Sequence, residues 1–127
     1  MSKSNYLEDN LLNHVLRAIP YTPPATIYVA LFTTAPTDST PGTEVTGGSY
    51  ARQPVTFTVP ASGTCANVAD VTFPIATVGW GTVTSFGLFD AGAAGNLLYY
   101  ANLTAPRDVL VNDEIRFPSG QLLVTED

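Results

Sequence analysis

The stretch Trp80-Gly-Thr-Val-Thr-Ser-Phe-Gly-Leu-Phe-Asp90 reads as a central β-strand. Side chains of a strand alternate between its two faces, so Val83, Phe86, Leu88 and Phe89 cannot all lie on one side. A strand with large apolar groups on both faces is a middle strand. Thr82 and Thr84 add β-branched character, and Gly87, lacking a Cβ, admits a close neighbour such as a second backbone or an aromatic ring. Ala91-Gly-Ala-Ala-Gly95 is a turn of small residues, and Asn96-Leu-Leu-Tyr-Tyr-Ala-Asn-Leu103 reads as a second strand of the same doubly buried kind. The two form a hairpin at the centre of an all-β arrangement.

Working outward, Asn5 and Glu8 have the spacing of a capping box, and Leu7, Leu11, Leu12, Val15, Leu16 and Ile19 follow at intervals of three and four before Pro20. This predicts an amphipathic helix over 5–19. Its apolar stripe is expected to cover the protein's own sheet, with docking on a neighbour as the alternative. Ala25 to Thr33 is apolar on both faces and predicts another central strand, whereas 34–48 is a long polar segment rich in turn residues and is expected to be an exposed loop. Residues 49–59 alternate, so a half-exposed strand is expected, with Pro54 marking a sheet edge or a bulge. Short strands are also expected near Val68–Pro74, Val109–Val111, Glu114–Phe117 and Gln121–Thr125, with a turn at Thr104–Asp108. The expected fold is mainly β, a single domain over 1–127. It has an N-terminal helix and, over 25–127, a β-sandwich or jelly-roll-like barrel of about seven or eight strands.

Composition narrows the function. Only 13% of the 127 residues are charged, about half the usual share. Such a surface suits a subunit covered by neighbours better than a free monomer. The net charge is −6, and the basic residues Lys3, Arg17, Arg52, Arg107 and Arg116 form no run, which argues against nucleic acid as a partner. No run of about 18 apolar residues and no leader-like apolar stretch is present, so neither membrane spanning nor cleaved-signal secretion is expected.

Catalytic chemistry finds little support. His14 is the only histidine and sits inside the predicted helix with no nucleophile or carboxylate positioned by spacing to work with it. Cys65, the only cysteine, reads as a small packed residue. Asp108, Asp113 and Glu114 lack the glycine and distal glutamate of a calcium loop, and they read as turn-capping groups. Gly79, Gly81 and Gly87 open no helix and do not form a dinucleotide fingerprint. No catalytic, cofactor-binding or metal-binding residue is nominated. The aromatic side chains are expected to fill the core, with a carbohydrate platform around Trp80 and Tyr99 as the lesser reading.

Contacts with partners are expected on the helix and around the long loop, and the candidate interface residues are Leu7, Leu11, Val15, Glu44, Val45 and Tyr50. Several blocks carry a resemblance: Tyr28-Val-Ala-Leu-Phe-Thr-Thr-Ala-Pro-Thr37, Gly47-Gly-Ser-Tyr-Ala-Arg-Gln53, Val71-Thr-Phe-Pro74, Trp80 to Ala91, and Gly95-Asn-Leu-Leu-Tyr-Tyr100. In this order and spacing the chain resembles a family of small tailed-bacteriophage proteins labelled phage tail fibre protein, over nearly its whole length. The resemblance implies a virion structural protein, made and assembled in the host cytoplasm, that joins other phage tail or capsid proteins. It implies no catalytic residue. A homo-oligomer, expected to be a trimer, fits the low charge. Capsid decoration as a cement protein and host-glycan binding stand as the alternative readings.

Overall fold

The computed structural model describes Met1 to Glu126. The elements in order are β1 (Ser2–Lys3), α1 (Asn5–Leu16), β2 (Ile27–Thr34), β3 (Thr43–Glu44), β4 (Gln53–Val55), β5 (Thr64–Ala66), β6 (Val71–Thr72), β7 (Gly81–Phe89), β8 (Leu97–Val109), β9 (Arg116–Phe117) and β10 (Leu123–Thr125). The fold is mainly β with one N-terminal helix and several antiparallel sheets, as the sequence predicts.

β7 lies between β2 and β8 in a six-stranded sheet of order β1-β8-β7-β2-β3, with β4 also paired to β2. Its position explains its doubly apolar sequence. Val83, Phe86 and Leu88 face the main core together with Val29 and Leu31 of β2, whereas Phe89 packs with Ala30 and Phe32 on the other face. Two small antiparallel ribbons, β5 with β10 and β6 with β9, supply Val71 and Val124 to the main core and so form a second layer over that face. Gly87 has the crowded surroundings expected of it, because a Cβ there would stand 2.7 Å from Leu97 Cδ1 and 3.1 Å from Phe32 Cε2.

Several expectations are corrected. β8 is longer than predicted, because Thr104–Asp108 does not turn the chain. Val83 pairs with Arg107 and Ser85 with Asn102, so Leu103 to Pro106 stand opposite the single residue Thr84 as a wide bulge. The turn-forming residues are absorbed into that bulge, and Val109 becomes the end of β8 instead of the start of a new strand. β8 is also less buried than β7: among the described residues the one strand paired to its outer edge is the two-residue β1. The segment 34–48 is not a loop throughout: Thr43–Glu44 pairs with β2, and the Val45 amide donates to the Leu31 carbonyl at 3.0 Å. The strand expected over 49–59 shortens to Gln53–Val55, with Pro54 on an edge.

The helix starts with Ser4, one residue earlier than the expected cap. Its hydroxyl accepts from the Leu7 amide at 3.3 Å and donates to the Leu97 carbonyl at 2.5 Å, which ties the first turn to β8. The helix ends at Leu16 instead of Ile19, where Ala18 takes a left-handed φ of 56° and the Ile19 amide returns to the Asn13 carbonyl.

Candidate interaction surface

At about 100° per residue, Leu11, Val15, Leu12 and Leu16 lie about 40°, 80°, 140° and 180° round the helix from Leu7. The apolar residues therefore span half the circumference, more than one sheet can cover. Leu7, 4% exposed, faces the sheet and Leu11 is half-buried. Val15 and Leu16 remain 72% and 74% exposed, and Leu12 and Ile19 are exposed beside them. The expectation that the stripe covers the protein's own sheet holds for Leu7 and fails for the C-terminal half of the helix.

This face adjoins a groove between helix and sheet, lined by Leu11, Leu12, Val15, Leu16, Tyr99 and Glu126. Its floor is a polar clasp. Lys3 Nζ lies 2.7 Å from Glu126, and the Tyr99 hydroxyl donates to the same carboxylate at 2.5 Å. Burial alone would raise the Glu126 pKa, but the hydrogen bonds from Lys3 and Tyr99 and the Lys3 charge hold it below the ordinary carboxylate value. Burial first, and then the bond to Glu126, raise the Tyr99 phenol. Beyond the clasp opens an apolar recess of about 470 Å³ lined by Ile27, Phe57, Leu88, Leu98 and Val124, with Cys65 in its wall.

Of the other candidate interface residues Val45 is a buried core residue, whereas Glu44 and Tyr50 are half-buried and line a shallow surface pocket. Glu44 accepts a forked pair of bonds from Arg52, at 2.9 Å from Nε and 2.8 Å from Nη2, while the Tyr50 hydroxyl donates to it at 2.6 Å and accepts from the Leu31 amide at 3.1 Å. Arg52 also donates to the carbonyls of Ala91 and Ala94, so this network pins the β7–β8 turn to the end of the long loop. Burial is the largest influence on Glu44 and raises its pKa. The bonds from Arg52 and Tyr50 and the Arg52 charge outweigh it, and the carboxyl titrates below its ordinary value.

Trp80 is 5% exposed, donates from Nε1 to the Gly48 carbonyl at 2.9 Å and meets the Tyr50 ring edge to face at 5.5 Å. It is a core residue and does not form a platform with Tyr99. His14 accepts from the Tyr21 amide at 3.1 Å, which fastens the connector after the helix.

Missed by the sequence reading was Asn67, which is 1% exposed and whose side-chain amide donates to the carbonyls of Ala69 and Pro118 and accepts from the Leu122 amide. Nothing near it in sequence marks those partners. Among the described residues no group of three or more His, Cys, Asp or Glu side chains is arranged to hold a metal ion. No helix among the described residues is long and apolar enough to cross a membrane.

A search of curated proteins finds no match. Residues 2–125 match the model of a family described as podophage GP4 fiber I protein gp80. That match takes in the helix and every sheet and stops one residue short of Glu126, and the chain belongs to this family of bacteriophage fibre proteins.

Proposed function

We propose that this chain is a non-enzymatic, tail-associated fibre component of the virion that assembles into a homo-oligomer through the exposed apolar half of α1. The observation that carries the reading is the helix face itself. Val15 and Leu16 are almost three-quarters exposed on a helix whose other side is anchored by Leu7 and Ser4. Burying one such side chain is worth about 1.5–3 kcal/mol, so leaving Leu12, Val15, Leu16 and Ile19 in water is costly for a free monomer and favourable for a docked one. Family membership points the same way, since a fibre protein works by joining other phage structural proteins.

Sedimentation velocity tests the assembly. The wild-type chain is expected to sediment as an oligomer, and the double variant Val15→Asp, Leu16→Asp as a monomer that still unfolds cooperatively, at a lower midpoint because the stabilisation from association is gone. A monomeric wild type at all concentrations overturns the homo-oligomer. Placement is tested by immunogold labelling of intact particles. Label on the tail is expected, and label confined to the head replaces the fibre reading with capsid decoration.

A further inference from the structure

We propose that the recess between the main sheet and the β5–β10 ribbon is a binding site for a small uncharged hydrocarbon, of the class of a single medium-length alkyl chain. Leu88 of β7 and Leu98 of β8 line it from the sheet, Val124 of β10 and Cys65 of β5 line it from the ribbon, and the half-buried Ile27 and Phe57 complete its wall. The gap between the layers has a cause in the sequence. Ala61-Ser-Gly-Thr-Cys65 carries no side chain larger than threonine, so this end of the ribbon leaves the space unfilled. Gly63 keeps it bare, because its φ is 74° and a Cβ there would stand 2.8 Å from the Glu126 carbonyl oxygen.

The lining dictates the chemistry of the occupant. Polar side chains at the rim are already engaged: Lys3 and the Tyr99 hydroxyl both hold Glu126, and the Thr64 hydroxyl lies 3.4 Å from that of Thr125. A charge or a donor pushed past them would give up water and gain no partner. Water itself needs two to four polar contacts to settle in a cavity, whereas an apolar one stays dry and takes up hydrocarbon. At about 470 Å³ the recess falls within the size range of ligand sites. A cavity of about 150 Å³ holds one benzene, so a chain of about ten carbons fits here. The Glu126 carboxylate at the mouth and the net charge of −6 weigh against an anionic end on that chain. The groove beside α1 shares only Tyr99 and Glu126 with the recess, and the inference does not depend on the helix face.

The probes are n-hexanol, n-octanol and n-decanol, titrated into the isotope-labelled full chain. Shifts are expected at Cys65, Leu88, Leu98 and Val124, with Kd falling about fourfold for each added methylene. Cys65 supplies a second readout, since its alkylation by iodoacetamide is expected to slow about tenfold with decanol at ten times its Kd. Cys65→Phe, which fills the recess, should abolish binding, whereas the pair Val15→Asp, Leu16→Asp should leave the affinity unchanged. Phosphatidylcholine vesicles distinguish the sources of such a chain. Flotation of the wild type that Cys65→Phe abolishes assigns it to a membrane lipid, and decanol binding without flotation assigns it to a free molecule. Shifts confined to α1, an affinity that does not grow with chain length, or undiminished binding by a folded Cys65→Phe chain overturns the proposal. Should Cys65→Phe fail to fold, the alkylation rate of the wild type decides, and no protection by decanol overturns it.

Discussion

The guanidinium carbon of Arg52 lies 3.7 Å from the centre of the Phe89 ring, so that one side chain stacks on the central hairpin while bonding the carboxylate of Glu44. Both functions need a flat, forked cation. With 7% of the Arg52 side chain exposed, Arg52→Ala is expected to leave Glu44 without its counter-ion and to cost about 3 kcal/mol in urea unfolding. Arg52→Lys should recover less than half of that loss, because an ammonium cannot serve Glu44 and the carbonyls of Ala91 and Ala94 together.

Acid should weaken this network in a defined direction. The folded pKa of Glu44 lies below its ordinary value of 4.5. The stabilisation is therefore complete above the unfolded value and is lost as pH falls through the folded one. Unfolding free energy measured between neutral pH and strong acid is expected to decline below 4.5, and Glu44→Gln should flatten that part of the curve while lowering stability at neutral pH.

Gly87→Ala tests crowding at the centre of the sheet. Its added methyl would meet Leu97 Cδ1 at 2.7 Å and the Tyr99 carbonyl oxygen at 3.3 Å. Overpacking of this kind costs about 1–3 kcal/mol. The nearest atom is the end of a side chain, so a Leu97→Val background is expected to recover part of the loss in the same denaturation experiment.

Ser85 has a fully buried hydroxyl without a hydrogen-bond partner among the described residues, in the middle of β7. An unsatisfied buried polar group costs about 1–3 kcal/mol. Ser85→Ala is accordingly expected to raise the unfolding midpoint, which calorimetry would show. A fall would mean that the hydroxyl does find a partner in solution.

The centre of the fold was legible because β7 is flanked on both edges and covered on both faces, and that environment writes large apolar residues at consecutive positions. Local chemistry misled where two structures use the same residues. Pro106 and its neighbours serve a bulge as well as a turn, and only the pairing of Arg107 with Val83 distinguishes them. Periodicity located the helix but could not say which part of a half-circumference of apolar residues faces β8. That is decided by Ser4, whose bond to Leu97 joins positions far apart in the chain. The network around Glu44 was partly hidden for the same reason, since Arg52 also bonds the carbonyls of Ala91 and Ala94, about forty positions away in the chain.

Trp80 is the only indole in the chain, and it is seated under Gly48 with its N–H engaged and its ring edge to face with Tyr50. Its fluorescence therefore belongs to one place. Dry surroundings and a fixed hydrogen bond give blue emission and high anisotropy, and both change when the segment carrying Gly48 and Tyr50 lifts away. Because the contacts of Gly48 and Tyr50 are with Leu31, Glu44, Phe73 and Trp80 and not with α1, emission separates partner binding at the helix from loosening of the core without any added label.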